Sequence, residues 1–304
     1  MTKTEKQWPA KWIQAIRVFS LTASIIPVLV GAALAFAHPV EADWRLFPLI
    51  FVAGVLYHAA TNLINDYYDF RNHVDTIHSR GGSRVIVDNI LTPRQVLIAG
   101  LLMFAVGTAL GFILVAIRGL PMLIIGIVGF LGGLFYTAKP IGYKYLALGD
   151  FGVFILMGPM MAIGAFYALT GTYDNSVLLV SLPVGFLVAA ILSANNLRDI
   201  EHDTGARVRT VESVIGPQRA RLWYYLLVIC AYAAVILMVA AGILSPWSLL
   251  VFLTAPLTIR NFTRVRRSGP EHAETIAAMD VLTAQLHLAF GLLLILSIFI
   301  AALV

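Results

Sequence analysis

Long apolar segments separated by short polar ones run along almost the whole chain, and nine of them are candidates for membrane-spanning helices. A spanning helix needs about 20 predominantly apolar residues. The nine runs are residues 19–37, 47–63, 96–117, 121–136, 151–169, 177–194, 223–243, 247–259 and 276–304. The eighth is short and contains Pro256, so it must extend towards residue 265. The pattern predicts an all-α polytopic membrane protein, with nine transmembrane helices forming a single domain over residues 1–304.

Composition supports this class. The chain is 60% hydrophobic and only 12% charged over 304 residues, values that exclude an ordinary soluble globular domain. Cys230 is the only cysteine, which excludes an internal disulfide and a cysteine-based metal site. We expect membrane lipid around the protein and no nucleic-acid partner.

The basic residues alternate between the connections as the positive-inside rule requires. Of the 21 Lys and Arg residues, only Arg45 and Arg118 fall on the outer side of a nine-helix arrangement. The inner side includes Lys3, Lys6, Arg80 and Arg207. The distribution predicts an integral protein of the cytoplasmic membrane, with the N-terminus in the cytoplasm and the C-terminus outside.

Polar side chains that are costly in a membrane lie together at the cytoplasmic end of the second run. In the segment TNLINDYYDFRNHVD, residues 61–75, Asn62, Asp66 and Asp69 follow one another at intervals of four and three. Asn65 and Asp69 are also four residues apart. On a helix these side chains share one face, and their oxygens could hold a hard cation.

The segment NNLRDIEHD, residues 195–203, repeats this arrangement after the sixth run. Asn195, Asp199 and Asp203 follow one another at intervals of four. A solvated loop of mixed charge would explain the aspartates, but it does not explain two asparagines still on the apolar helix. The two segments are therefore predicted to close on one ligand at the cytoplasmic side.

The cytoplasmic connections also carry basic residues that could bind an anion. In GGSR, residues 81–84, two glycines permit a positive φ and a close backbone approach, although an ordinary glycine turn would look the same. Lysines could hold phosphate oxygens as point charges, or they could only set the topology. The candidate anion ligands are Arg84, Lys139, Lys144, Arg198 and Arg209.

Carboxylate and carboxamide oxygens suit Mg²⁺, which commonly binds through one or two carboxylates and substrate phosphates. Basic residues beside such a cluster are unnecessary for a cation alone, but they fit a magnesium diphosphate. An anion held where an apolar cavity meets the cytoplasm indicates a substrate with a charged head and a long hydrocarbon tail. That description matches an isoprenoid diphosphate.

The segments NLINDYYD with its trailing Asp75, GGSRVI, YTAK and NNLRDIEHD are similar to those of the UbiA superfamily of intramembrane aromatic prenyltransferases. The resemblance covers nearly the whole chain. It implies nine helices around a central, lipid-accessible cavity, with Mg²⁺ as cofactor and a polyprenyl diphosphate and an aromatic acceptor as substrates. It also implies ionisation of the allylic carbon–oxygen bond, followed by attack of an electron-rich ring.

The resemblance assigns roles to particular residues. Metal ligands would be Asn62, Asn65, Asp66, Asp69, Asn195, Asp199 and Asp203, with the four aspartates counted as catalytic. The diphosphate would bind Arg84, Lys139, Lys144, Arg198 and Arg209, and further site candidates are Asp75, Tyr136 and Asp280. In the superfamily, a common first motif has aspartates spaced by three and then four. Here His73 takes the last position and Asp75 follows, which resembles the dihydroxynaphthoate branch more than the hydroxybenzoate branch.

Other functions remain open at this stage. A different acceptor would fit the same motifs: 4-hydroxybenzoate, homogentisate or a glyceryl phosphate lipid. A cation transporter should carry its acids near the bilayer midplane and needs no arginines beside them. A lipid-binding protein without turnover could also retain both motifs. The sequence leaves the prenyl chain length and the oligomeric state undetermined.

Overall fold

The computed structural model describes residues 8–77, 81–206, 208–268 and 274–304, so Lys3, Lys6, Arg80 and Arg207 lie outside the described residues. Its α-helices are α1 (Trp8–Ala15), α2 (Thr22–Ala37), α3 (Phe47–Arg71), α4 (Pro93–Arg118), α5 (Leu120–Leu134), α6 (Gly149–Ile155), α7 (Met161–Thr170), α8 (Asn175–Gly205), α9 (Val211–Ile215), α10 (Pro217–Ala240), α11 (Ala255–Arg267) and α12 (Met279–Leu303). Short 3₁₀ turns occupy Val18–Leu21, Trp44–Leu46, Tyr143–Tyr145 and Pro246–Thr254, and a π-helix occupies Leu156–Met160. Within the described ranges the one β pairing is an isolated bridge between Leu146 and Arg209.

Seven helical segments in the described part of the chain are long and apolar enough to cross a membrane. They are Val18–Ala37, Trp44–Arg71, Pro93–Arg118, Gly149–Thr170, Asn175–Gly205, Pro217–Ala240 and Glu274–Leu303. This confirms the predicted all-α polytopic membrane protein.

Two of the nine predicted runs take a different form. The fourth becomes α5, which is apolar but only 15 residues long. The eighth becomes the 3₁₀ segment Pro246–Thr254 followed by α11, and the last turn of α11 carries Arg264, Arg266 and Arg267. The count of nine crossings, and the orientation derived from it, therefore stay predictions.

The helix that follows residue 148 is interrupted by the π-helix between α6 and α7. Pro159 lies inside this turn, and proline lacks the N–H that would bond back along the helix. The same turn brings Gly158 against Gly185 of α8, where a Cβ on Gly158 would lie 2.5 Å from the Gly185 Cα. Two glycines thus let this interrupted helix pack closely against α8.

Helix α8 lies at the centre of the bundle. Its residues Val184, Leu187 and Ala194 belong to the largest apolar core, together with Tyr224 from α10 and Phe290 from α12. Burial of apolar surface on several sides holds α8 rigidly. The polar last third of α8 is therefore held in a fixed position.

The connection between α3 and α4 folds back over the end of α3. The backbone N–H groups of Val74 and Asp75 both donate to the Asp69 carbonyl, at 2.8 and 3.0 Å, which satisfies a carbonyl left unpaired at a helix C-terminus. Further along, Val85 and Ile86 pack with Leu63 in a small apolar cluster. These contacts place residues 81–83 above the acidic end of α3.

Candidate functional site

The ends of α3 and α8 meet, and the two acidic motifs line one polar cleft. Asn65 and Asp69 contribute from α3, and Asn195, Asp199 and Asp203 contribute from α8. All three aspartates are buried. The structure therefore brings together the two segments that the sequence places about 130 residues apart.

Lys144 is the cationic partner of the α3 motif. Its Nζ lies 2.6 Å from the Asp69 Oδ2 and 3.1 Å from the Asn65 Oδ1, and the Tyr145 hydroxyl donates to the Asp69 Oδ1 at 2.6 Å. Burial by itself lowers the pKa of Lys144, but Asp69, together with Tyr145 and Asp75, outweighs it and raises the pKa above its usual range. Lys144 is therefore a charged group inside the cleft.

Arg17 is the partner of Asp66, and it is a site residue that the sequence interpretation counted only as a topogenic charge. Its guanidinium donates to the Asp66 Oδ1, while the Ser83 hydroxyl donates to the Asp66 Oδ2. Arg17 has a φ of 54° at the break between α1 and the next 3₁₀ turn. A non-glycine residue in this left-handed region is uncommon and marks a constrained turn.

Asn62 connects the turn at Arg17 to α3 by hydrogen bonds. Its Nδ2 donates to the Ile16 carbonyl at 3.0 Å and to the Ser20 Oγ at 3.1 Å. The side chain of Asn62 also lines the large cavity described below. Its predicted role as a metal ligand stays a prediction.

Arg198 neutralises the α8 motif and ties α8 to α12. Its guanidinium donates to Asp199 through two nitrogens, at 3.0 and 2.8 Å, to the Asp280 Oδ2 at 2.9 Å and to the Asn195 Oδ1 at 2.5 Å. The two-pronged contact with Asp199 is the geometry in which arginine binds carboxylate and phosphate most strongly.

The glycines of the GGSR segment lie directly against the acids. A Cβ on Gly81 would be 2.5 Å from the Asp199 Oδ2, and one on Gly82 would be 2.8 Å from the Asp75 Oδ2. Gly82 has a φ of 73°, which glycine adopts without strain. Burial, reinforced by repulsion from Asp69, raises the pKa of Asp75 to about 7.

The cleft contains more carboxylates than cationic side chains, and this excess bears on whether the cleft suits a metal ion. The carboxylates that line it or pair with its cations are Asp66, Asp69, Asp75, Asp199, Asp203 and Asp280, against the cations Arg17, Lys144 and Arg198. In the described ranges, no three acidic or histidine side chains form a complete metal-binding group. An excess of carboxylates without a closed ligand set fits Mg²⁺, which binds through few carboxylates and completes its shell with water and phosphate oxygens.

Of the four site residues predicted from the sequence that remain, three lie outside the cleft and the cavity and one lines the cavity. Arg84 lies beside Asp88, with Nη2 3.0 Å from the Asp88 Oδ1, and Lys139 and Arg209 are exposed. None of the three basic residues lines the cleft or the cavity in the described structure. Their predicted contact with a diphosphate stays a prediction. Tyr136 is buried in the wall of the cavity.

A cavity of about 590 Å³ extends from the cleft into the bundle. Its wall is largely apolar and includes Val28, Phe130, Met157 and Val188. It shares the lining residues Arg17, Asn65, Gly82, Lys144 and Asn195 with the cleft. A ligand could therefore place a charged head in the cleft and an apolar tail in the cavity.

A second acidic pair lies behind the α8 motif, and the sequence interpretation did not single it out. The Asn196 Nδ2 donates to the Glu212 Oε2 at 2.9 Å, and the Trp223 Nε1 donates to the Asp150 Oδ2 at 2.7 Å. Burial, together with the neighbouring Asp150, raises the pKa of Glu212 to about 8. This pair supports the α8 end without lining the cleft.

A helical membrane bundle with a buried acidic cleft that adjoins a long apolar cavity defines a class of protein suited to amphiphiles with an anionic head. Within that class, this chain belongs to the UbiA prenyltransferase family, whose model matches residues 24–288.

Curated relatives align along nearly the full chain. The 1,4-dihydroxy-2-naphthoate octaprenyltransferase of Bacillus subtilis (strain 168) is 32% identical over 289 residues, which cover 95% of this chain and 92% of that protein. The UbiA prenyltransferase domain-containing protein 1 of Xenopus tropicalis is 33% identical over 299 residues, which cover 97% of this chain and 84% of that protein. The chain is therefore a prenyltransferase of the UbiA type.

Solved structures share the fold at low sequence identity. A UbiA homolog from Aeropyrum pernix K1 superposes with a TM-score of 0.69 at 16% identity, covering 96% of this chain and 99% of that one. A UbiA homolog from Archaeoglobus fulgidus, described with GPP and Mg²⁺ bound, gives a TM-score of 0.57 at 17% identity, with coverages of 93% and 99%. These likenesses establish the common fold.

Proposed function

We propose that this protein transfers a polyprenyl group from an isoprenoid diphosphate to 1,4-dihydroxy-2-naphthoate, with loss of the acceptor carboxylate, in menaquinone biosynthesis. The observation that carries the proposal is the junction of cleft and cavity. Two acidic motifs with three partly buried cations lie at the mouth of an apolar space of about 590 Å³. That arrangement suits a diphosphate with a hydrocarbon tail.

The donor set supports Mg²⁺ as the cofactor. Asp66, Asp69, Asp199 and Asp203 would hold it, with Asn65 and Asn195 supplying carboxamide oxygens or orienting water. When bound, magnesium neutralises charge on the leaving diphosphate. The Archaeoglobus fulgidus homolog with GPP and Mg²⁺ supports the same pairing of metal and prenyl diphosphate.

The protein's own residues assist departure of the diphosphate. Lys144 places positive charge in the cleft, Arg198 pairs with the cleft residue Asp199, and Arg17 adds a third cation at the boundary with the cavity. Preorganised charges of this kind stabilise the negative charge that develops on the leaving group. The apolar wall keeps water from the allylic cation, which water would otherwise capture.

The acceptor assignment is supported by two features of the chain. His73 replaces the last aspartate of the common first motif, and the Bacillus subtilis dihydroxynaphthoate enzyme is similar over 95% of the chain. We propose dihydroxynaphthoate on these grounds, in preference to 4-hydroxybenzoate, homogentisate and a glyceryl phosphate lipid.

Turnover with a panel of acceptors tests the assignment. Purified protein would be incubated with Mg²⁺, geranylgeranyl diphosphate and each acceptor, and the products would be read by mass together with released carbon dioxide. We expect prenylated product and carbon dioxide in equal amounts with dihydroxynaphthoate. Product formed without carbon dioxide would exclude dihydroxynaphthoate as the acceptor but would still demonstrate prenyl transfer. Absence of any prenylated product would overturn the proposed function.

We also propose a cytoplasmic active site, with the N-terminus inside and the C-terminus outside the cell membrane. The charge distribution supports this orientation, because 19 of the 21 Lys and Arg residues fall on one side of the predicted arrangement. A reporter fused after Val304 should be extracytoplasmic, and one inserted at Gly205 should be cytoplasmic. The reverse result would move the site to the other face of the membrane.

A further inference from the structure

Two arginines lie together where α10 begins and α11 ends, outside the cleft and the cavity. The Arg221 Nη2 donates to the Ser268 carbonyl at 2.5 Å, directly after the last residue of α11. The charges of Arg221 and Arg266 both act on the Tyr225 hydroxyl, which donates to the Phe262 carbonyl at 3.3 Å. One guanidinium group from each helix therefore lies near the same tyrosine.

This pair of arginines lies at the same membrane face as the acidic cleft. The cleft is at the C-terminal end of α8, and α10 begins at Pro217, shortly after that end. Two residues after Arg221, the Trp223 Nε1 donates to Asp150, which lies behind the α8 motif. Because Arg221 also contacts the residue after α11, the basic end of α11 is at this face too.

Neither arginine has an acidic partner among residues 8–77, 81–206, 208–268 and 274–304. The ion pairs found there involve neither Arg221 nor Arg266. The Arg221 Nε is buried without a hydrogen-bond partner in these ranges, whereas Arg266 is exposed. A basic residue that only sets membrane topology has no need of burial, and a buried donor without an acceptor is costly. Arg221 is therefore suited to bind an anion.

Exposed apolar side chains continue from each arginine along the membrane-spanning part of its helix. On α10, Leu222, Leu226 and Ile229 are exposed and follow one another at intervals of four and three, so they share one face. On α11, the exposed Ile259 precedes Arg266 by seven residues, and the two again share a face. At 1.5 Å per residue these surfaces extend about 10 Å from the arginines. Each helix is thus cationic at the membrane face and apolar deeper in the membrane.

We propose that this surface binds an anionic phospholipid, with the lipid phosphate on Arg221 and Arg266 and an acyl chain along the exposed apolar face below them. Guanidinium groups bind phosphate through two parallel N–H···O bonds. Basic pockets between membrane helices are suited to anionic headgroups. In the described structure neither arginine lines the cleft or the cavity, so prenyl transfer does not account for them. We name the surface of Arg221, Arg266, Leu222, Leu226, Ile229 and Ile259 the lipid patch.

A lipid on this patch would join α10 to α11. Helix α11 in turn contacts α12, where the Asn261 Nδ2 donates to the Leu282 carbonyl at 3.2 Å. Helix α12 begins with Met279 and Asp280, and the Asp280 carboxylate pairs with Arg198 beside the cleft. The bound lipid therefore stabilises the side of the bundle that supports the cleft.

Native mass spectrometry of the full chain in neutral detergent tests the proposal. The probes are dioleoyl phosphatidylglycerol and dioleoyl phosphatidylcholine, which share their acyl chains but differ in net headgroup charge. Arg221→Gln and Arg266→Gln each remove one positive charge from the lipid patch. Arg94→Gln is the matched control, because Arg94 is an exposed arginine in the first turn of α4, at the same membrane face.

We expect the unaltered protein to retain phosphatidylglycerol in preference to phosphatidylcholine. Arg266→Gln should weaken phosphatidylglycerol binding by about fivefold, the range for one basic residue at an anionic membrane surface, and Arg94→Gln should leave it unchanged. Added phosphatidylglycerol should raise the thermal midpoint of the unaltered protein, because a ligand of the folded state stabilises it, and should raise that of Arg266→Gln less. Arg221→Gln should behave in the same way, but Arg266 is the decisive position because its exposed side chain is not needed for folding.

Three outcomes would overturn the proposal. Equal weakening in Arg94→Gln and Arg266→Gln would show that the lipid responds to the overall positive charge of this face. Unchanged binding in Arg266→Gln would exclude the lipid patch. Displacement of phosphatidylglycerol by an equal concentration of inorganic phosphate would show an anion site to which the acyl chain contributes nothing. None of these readouts depends on turnover, so they stand apart from the test of prenyl transfer.

Discussion

Replacing Lys144 by methionine tests whether the cleft is held together by its internal ion pairs. The Lys144 Nζ lies 2.6 Å from the Asp69 Oδ2, and the two side chains are 14% and 4% exposed. Removing one partner of a buried ion pair leaves the other charge uncompensated and costs about 3–5 kcal/mol. Asp69 keeps its hydrogen bond from Tyr145, so we expect a loss near the lower end, about 3 kcal/mol of unfolding free energy.

The same loop supplies a matched control. Lys139 is exposed, in contrast to Lys144, and its replacement by methionine should change stability by no more than about 0.5 kcal/mol. The double variant Asp69→Asn/Lys144→Met removes both charges, so neither is left unpaired. We expect it to recover most of the lost unfolding free energy.

Unfolding in detergent, monitored by tryptophan fluorescence, would measure the stability of the unaltered protein, the two single variants and the double variant. Turnover of each protein would be measured in parallel. Lys144→Met should also reduce turnover, since Lys144 is proposed to bind the diphosphate, whereas Lys139→Met serves as the control for stability alone. Equal stability of the two single variants would refute the structural reasoning about Lys144.

Three further predictions concern the acids and the metal. Asp199→Ala should abolish turnover while the protein stays folded, because Arg198 keeps its contacts with Asp280 and Asn195; full activity in this variant would contradict a site built from both motifs. Removal of Mg²⁺ with a chelator should stop turnover, and added Mg²⁺ should restore it, as product mass would record; unchanged product would exclude the cofactor. The pKa of Glu212 is raised to about 8 by burial and by Asp150, above its usual value of 4.5, so the folded state binds the proton more tightly. Its stabilising contribution is complete below pH 4.5 and is lost as the pH rises through 8, so thermal midpoints should fall over this range and fall less in Glu212→Gln.

The sequence predicted the composition of the cleft better than its internal contacts. Helical spacing placed Asn65 and Asp69 on one face, and the repeated pattern at Asn195 and Asp199 suggested a common ligand. The structure brings these four side chains to one cleft. Periodicity is informative here because each motif lies on a single regular helix.

Arg17 and the interrupted helices could not be predicted in the same way. Arg17 precedes an apolar run, where a basic residue usually sets membrane topology, and its pairing with Asp66 depends on a left-handed turn between α1 and α2. The eighth run was a weak helix candidate because of Pro256, but nothing in its sequence indicated that residues 246–254 form a 3₁₀ segment packed against α12 and α10. Such features depend on tertiary contacts across long sequence separations.

The ion pairs of the cleft imply that its two proposed ligands assist each other. In this structure Lys144 and Arg198 pair with the carboxylates of Asp69 and Asp199, the groups proposed to hold magnesium. A diphosphate that draws these cations away leaves the carboxylates free for the metal, and a metal on the carboxylates leaves the cations free for phosphate. Binding is then a reciprocal exchange of partners, in which each ligand tightens the other by the same factor.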